Sequence, residues 1–158
     1  MQKIPVTKKG FVVLEAELKH LKTIARPRVI EDIAVAREHG DLKENAEYHA
    51  AREQQSFIEG RILELEAVVS RAQIIDPSLM IGDKIIKFGA TVLVVDEETD
   101  EETEYQIVGE HEANADAKKL SVTAPICRAM IGKKEGDSIA VVTPKGKKDY
   151  EIITISYS

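Results

Sequence analysis

From Ala51 to Ala72 the positions Ala51, Gln55, Ile58, Ile62, Leu65, Val69 and Ala72 recur at alternating steps of four and three. This is a heptad seam, and a helix built on it carries one stripe that another helix has to cover. A lone helix of this kind is marginal in water. The partner lies directly upstream: Leu14, Leu18, Leu21 and Ala25 form a matching stripe, which resumes one place out of phase at Val29, Ile33 and Ala36. The slip falls at Arg26-Pro27, where proline removes a backbone donor, so a bend or phase change is expected there. Thr7 suits the N-cap of the first helix, and His39-Gly40 suits its stop. Two amphipathic helices of about 30 residues, each ~45 Å long, are joined by almost no chain and must pair antiparallel. The expected product is a narrow rod with a tight tip at Gly40–Asn45.

The period changes after Ile74-Ile75-Asp76-Pro77, where the second helix is expected to end. Ala90–Val95, Thr103–Val108, Leu120–Thr123, Ser138–Thr143 and Tyr150–Ile155 are rich in β-branched residues and read as strands. Asp96–Glu102 and Pro144–Lys147 are turns, and Pro125–Ile131 is a short helix opened by proline. The fold class is α+β: a coiled-coil hairpin over 1–76, then a small antiparallel-sheet domain with one helix over 80–158.

Several function classes are excluded early. The single cysteine, Cys127, permits no internal disulfide and belongs to no zinc spacing. It is expected to be buried and inert. The opening residues are too polar for a signal peptide, and no apolar run approaches the ~20 residues of a membrane span, so a soluble, cytoplasmic protein without membrane contact is expected. The net charge of −6 argues against tight, sequence-independent DNA binding, and no sequence-specific DNA binding by the chain alone is expected. The first 76 residues are nearly balanced, with 12 basic and 13 acidic side chains. Asp96–Glu104 holds seven acids in nine residues but lacks the ligand spacing of an EF-hand, and reads as a solvated turn. There is no P-loop, dinucleotide fingerprint or G-x-S-x-G.

The tip, Arg37-Glu-His-Gly-Asp41-Leu-Lys-Glu44-Asn-Ala-Glu-Tyr48, allows two readings. D-x-x-E is a capping box, with Asp41 as N-cap and Glu44 three residues on. Alternatively, Asp41 and Glu44 are two carboxylates able to hold Mg²⁺, whose octahedron is commonly completed by water and substrate oxygens. Arg37, Lys43 and Arg52 are either solvated helix charges or a small patch that meets nucleic-acid phosphates. His39 and His49 lack a partner at metal spacing and read as surface residues.

The string Ala36-Arg-Glu-His-Gly-Asp-Leu-Lys-Glu-Asn-Ala-Glu-Tyr-His-Ala-Ala-Arg-Glu53 closely resembles the tip signature of the GreA/GreB transcript-cleavage factors. Leu14–Lys22, Arg26-Pro27, Phe88–Val92, Tyr105–Gly109 and Ile131–Lys133 resemble the rest of that family, so the likeness runs over nearly the whole chain. It implies a coiled-coil hairpin and an FKBP-like C-terminal domain. It further implies that the C-terminal domain docks on bacterial RNA polymerase at the rim of the secondary channel and that the hairpin threads the channel. Asp41 and Glu44 would then help hold the second catalytic Mg²⁺ of the polymerase, which cuts the 3′ end of its backtracked nascent RNA. On this reading the chain is a cofactor of the polymerase rather than an enzyme, it binds no metal tightly alone, and it meets nucleic acid only in the elongation complex. The near-balanced charge of the first half favours the GreA branch, since the branches differ mainly in a basic patch along the hairpin. The family often has Ser before its Pro-Ile; here Ala124 stands there, leaving docking to Pro125 and Ile126.

Three rivals remain. A channel-binding inhibitor of the same fold would have altered tip acids. A peptidyl-prolyl isomerase follows only from the fold, which does not carry function, and Phe88, Tyr105, Tyr150 and Tyr157 are a poor supply for a proline pocket. A plain coiled-coil adaptor leaves the tip unexplained.

Overall fold

The computed structural model describes residues 2–158. They form two compact units, Val12–Arg71 and the residues up to Phe11 together with Ala72–Ser158. This division differs from the expected halves 1–76 and 80–158, because the N-terminal strand and the first helical turn pack with the second half.

In the helical unit, α1 (Lys8–His20) runs through a π-helical turn, Leu21–Ala25, into α2 (Arg26–Arg37), and α3 (Ala46–Arg71) returns. The π turn is the physical form of the phase slip. It accommodates one extra residue, and Pro27, which has no N–H to donate, sits at the start of α2. Arg26 forks onto Glu59 at 2.9 and 2.8 Å, and Arg61 onto Glu17 at 2.6 and 3.1 Å. The later residue of the first arm, Arg26, thus meets the earlier residue of the second, Glu59, and the earlier Glu17 meets the later Arg61, as antiparallel arms require. Arg26 holds the Glu59 carboxyl below its usual range, chiefly through this hydrogen bond. Val29, Ile58 and Ile62 are buried together, with Leu18, Leu21 and Ala25 packed against them. One seam position differs from expectation: Val68, not Val69, is buried after Leu65. The step from Leu65 to the next buried residue is three rather than four, and Val69 is half-buried beside it.

The sheet unit opens with an element the sequence pattern did not suggest. β1 (Ile4–Thr7) pairs in parallel with β2 (Ala72–Ile75), so the second helix ends at Arg71. Thr7 is the N-cap of α1: its hydroxyl accepts from Gly10 N–H at 3.1 Å. In a capping box the third helical residue would return a carboxylate to the cap. Here that residue is Gly10, and Glu112 supplies the carboxylate instead, accepting from Thr7 N–H at 2.7 Å and from the Thr7 hydroxyl. A Cβ on Gly10 would meet Glu112 Oε1 at 2.0 Å, so the glycine makes room for the borrowed acid.

The main sheet has the order β5-β4-β3-β7-β6, from β3 (Thr91–Asp96), β4 (Glu102–Val108), β5 (Lys119–Ser121), β6 (Ser138–Thr143) and β7 (Gly146–Ser156). It is mixed rather than purely antiparallel, since β4 and β5 run parallel from Gln106/Lys119 to Val108/Ser121. Alternate residues Val92 and Val94, Ile139 and Val141 face a core shared with Ile107, Ile152, Cys127 and Met130. The last two come from α4 (Pro125–Met130). Burial pushes the Cys127 thiol up to about 11, which agrees with the inert role expected for it. No described helix is long and apolar enough to cross a membrane.

Candidate functional site

The tip is built by three local decisions. α2 ends at Arg37, and Gly40 takes a left-handed φ of +101°, a region open to glycine at little cost. α3 then starts at Ala46 with Asn45 as its cap: Asn45 Oδ1 accepts from Tyr48 N–H at 3.0 Å. The Asn45 amide also donates to Ala36 O at 2.6 Å, so one buried side chain caps the returning helix and ties it to the outgoing one.

This overturns the capping-box reading of Asp41 and Glu44. Asp41 lies four residues before the cap. Its Oδ1 accepts from Lys43 N–H at 3.0 Å, a local turn rather than a helix cap. Glu44 precedes the cap and has no helical N–H to serve. Both acids are exposed and lie on the loop between Gly40 and Asn45.

Arg37 and Arg52 are brought together around Tyr48. Each guanidinium carbon lies 5.9 Å from the ring centroid, and Arg52 Nη1 donates to Tyr48 Oη at 3.1 Å. Arg37 first, then Arg52, lowers the Tyr48 hydroxyl below its ordinary pKa. The same two arginines line a shallow groove of ≈ 400 Å³ with Ile30, Ile33, Ala34 and Gln55. Lys43 does not join them; it stays in the loop, where His49 Nε2 donates to its carbonyl at 2.9 Å. Pro125 is exposed and Ile126 half-buried at the start of α4. Ala124, in the cap position, offers no side-chain hydrogen bond.

Asn45, Tyr48 and His49 were missed as working residues. The signal for Asn45 was present, since Asn is among the best N-caps, but D-x-x-E four residues earlier competed with it.

The described residues contain no group of three or more His, Cys, Asp or Glu able to hold a metal. Asp41 and Glu44 instead offer two hard oxygen donors on an exposed loop. One or two carboxylates is the usual protein contribution to Mg²⁺, with the rest from water and phosphate, so the pair fits an open site completed by another macromolecule. Arg37 and Arg52 carry planar, fixed charges suited to phosphate oxygens.

Known proteins share this chain's whole length. The N-terminal model of the transcription elongation factors matches residues 4–74, and the GreA/GreB C-terminal model matches 81–157. The chain is 63% identical to transcription elongation factor GreA of Ruegeria pomeroyi over 100% of both chains. It is 60% identical to that of Paracoccus denitrificans over 99% of both, and 58% identical to that of Rickettsia typhi over 98% of this chain and 95% of the relative. Among solved structures it is similar to GreA factor homolog 1 (Gfh1) of Thermus thermophilus, at 28% identity and TM-score 0.44 over 98% and 99% of the two chains. A GreA/GreB factor from Nitrosomonas europaea is 24% identical, with TM-score 0.43 over 98% and 100%. With both family models matched and relatives near 60% identical end to end, the chain belongs to the GreA/GreB family of transcription elongation factors.

Proposed function

We propose that this factor binds bacterial RNA polymerase in the cytoplasm, places its hairpin tip in the secondary channel and stimulates the polymerase to cut its own backtracked RNA. The polymerase remains the catalyst. The observation that carries this reading is the pair Asp41 and Glu44: exposed, spared from capping by Asn45, and set in a chain that matches the cleavage-factor family from end to end. α3 alone, with 26 residues, extends about 39 Å at 1.5 Å per residue, enough to reach into a channel.

Asp41 and Glu44 would hold Mg²⁺ together with carboxylates of the polymerase, and such an ion lowers the pKa of bound water and stabilises charge in phosphodiester hydrolysis. Arg37 and Arg52 would meet phosphates of the extruded RNA 3′ end, while Pro125 and Ile126 would contribute to docking. The test is addition of purified protein to halted, backtracked elongation complexes. Transcripts should shorten, and labelled RNA with Mg²⁺ but no polymerase should stay intact. Binding without shortening would sink this reading in favour of a channel-blocking inhibitor.

A further inference from the structure

We propose that His49 is a positioning residue for the two tip acids: its imidazole grips the Lys43 carbonyl and thereby sets how the loop presents Asp41 and Glu44. This rests on the reading of the acids given above.

Two hydrogen bonds hold the loop between Asp41 and Glu44, and both converge on Lys43. Its N–H, in the peptide plane shared with Leu42, donates to Asp41 Oδ1 at 3.0 Å. Its carbonyl, in the plane shared with Glu44, accepts from His49 Nε2 at 2.9 Å. The first bond orients the Asp41 carboxylate. The second fixes the plane through which the chain enters Glu44. Consecutive planes are held from opposite ends, one by an acid of the pair and one by His49.

The donor comes from the helix that anchors the tip. Side chains on a helix lean toward its N-terminus, so His49, one turn after the Asn45 cap, projects back over the loop. The Tyr48 ring meets the imidazole edge-on, with centroids 5.6 Å apart and planes at 66°. A carbonyl can only accept, so Nε2 must carry the hydrogen. The grip therefore needs a donor at the Nε2 position and no proton acceptor. That separates it from a base role for the same histidine.

The experiment compares full-length His49→Gln, His49→Asn and His49→Ala with the native protein in halted elongation complexes across an Mg²⁺ titration, with Asp41→Asn as control. Gln places an amide N–H near the Nε2 position, whereas Asn is too short. Native protein and His49→Gln should agree within about 2-fold. His49→Asn and His49→Ala should lose about 10-fold or more, the usual scale for losing a group that orients a metal ligand, with half-saturation moved to higher Mg²⁺ and unchanged competition for polymerase. The free proteins supply a readout independent of cleavage: heteronuclear NOEs of the Lys43 and Glu44 amides should stay high in His49→Gln and fall in His49→Ala. Full activity of His49→Ala where Asp41→Asn is inactive would overturn the inference and leave the cleavage reading intact. Failure of His49→Gln to rescue would also overturn it, by pointing to proton transfer or ring packing. If Asp41→Asn itself cleaves normally, the metal-ligand reading of the acids falls while stimulation of cleavage stands, and the NOEs alone decide whether the grip exists.

Discussion

Glu112 in the sheet unit receives hydrogen bonds from Thr7 N–H, the Thr7 hydroxyl and Gly109 N–H. Asp41 at the hairpin tip receives one, from a loop amide two residues on, and the capping role it could have filled belongs to Asn45. Other acids of the sheet unit also serve the fold, Asp76 and Asp83 through the same two-residue turn bond that Asp41 makes, each with a second partner added. Asp76 accepts from Ser78, Asp83 from Ile85 and Lys87, and Glu135 from Ile155. Each of these carboxylates accepts from at least one backbone N–H. At the tip Asp41 keeps one turn bond, and the cap of the returning helix depends on Asn45 and on neither acid. An acid whose removal leaves the fold intact can be shaped by a partner's needs alone.

The contrast predicts a graded response to substitution, and the largest loss of stability should come from Glu112→Ala. Thr7 is 4% exposed, so its N–H would lose an acceptor in a nearly dry place, at about 1–3 kcal/mol. Chemical denaturation should show it, and an unchanged midpoint would mean that water replaces the carboxylate. Asn45→Ala should follow at roughly 0.5–2 kcal/mol, the usual cost of a lost cap, while Asn45→Ser should recover the cap but not the bond to Ala36.

Acid provides a third, smaller test. The Asp83 carboxyl is held below its usual value of 3.8, first by the Ile85 N–H and then by Lys87. A depressed pKa contributes stability that is present above that value and lost as pH falls through the lower, folded one. Stability should therefore decline below about pH 4, less steeply in Asp83→Asn. Equal acid limbs in the two proteins would remove Asp83 from the group of structural acids. Last come Asp41→Asn and Glu44→Gln, each expected to shift the melting transition by no more than about 0.5 kcal/mol while cutting cleavage at least ~10-fold. A large loss of stability with cleavage retained would erase the distinction between the two regions.

Much of this architecture could be read from residue spacing, because periodicity is a local signal. Ser138–Thr143 was placed to the residue, the Pro125 helix to within one residue, and the slip near Pro27 became the π turn at Leu21–Ala25. What escaped depends on distant partners. Ile4–Thr7 and Ala72–Ile75 are four residues each, too short to signal a strand, and each needs the other across the whole hairpin. Glu112 caps a helix 105 positions away. At the tip, D-x-x-E was a sound local signal, outweighed because Asn45 also reaches the carbonyl of Ala36 on the other arm. The acids themselves stood out in the sequence; that the fold makes so little use of them needed the coordinates.

The parallel pairing of β1 with β2 has a consequence for how such a protein can change over generations. Residues 8–71 leave after Thr7 and rejoin at Ala72, on two strands paired from Ile4/Ala72 to Thr7/Ile75, so the hairpin is topologically an insertion whose ends are held by one strand pair. Because closure entropy grows only slowly with loop length, lengthening it should be cheap. One added heptad per arm would advance the tip by ~10 Å while keeping the seam in phase and the junction untouched. A single-residue change would need an accommodation like the one at Leu21–Ala25. Reach and tip chemistry can thus diversify like an exchangeable probe, while the sheet that anchors it stays the same.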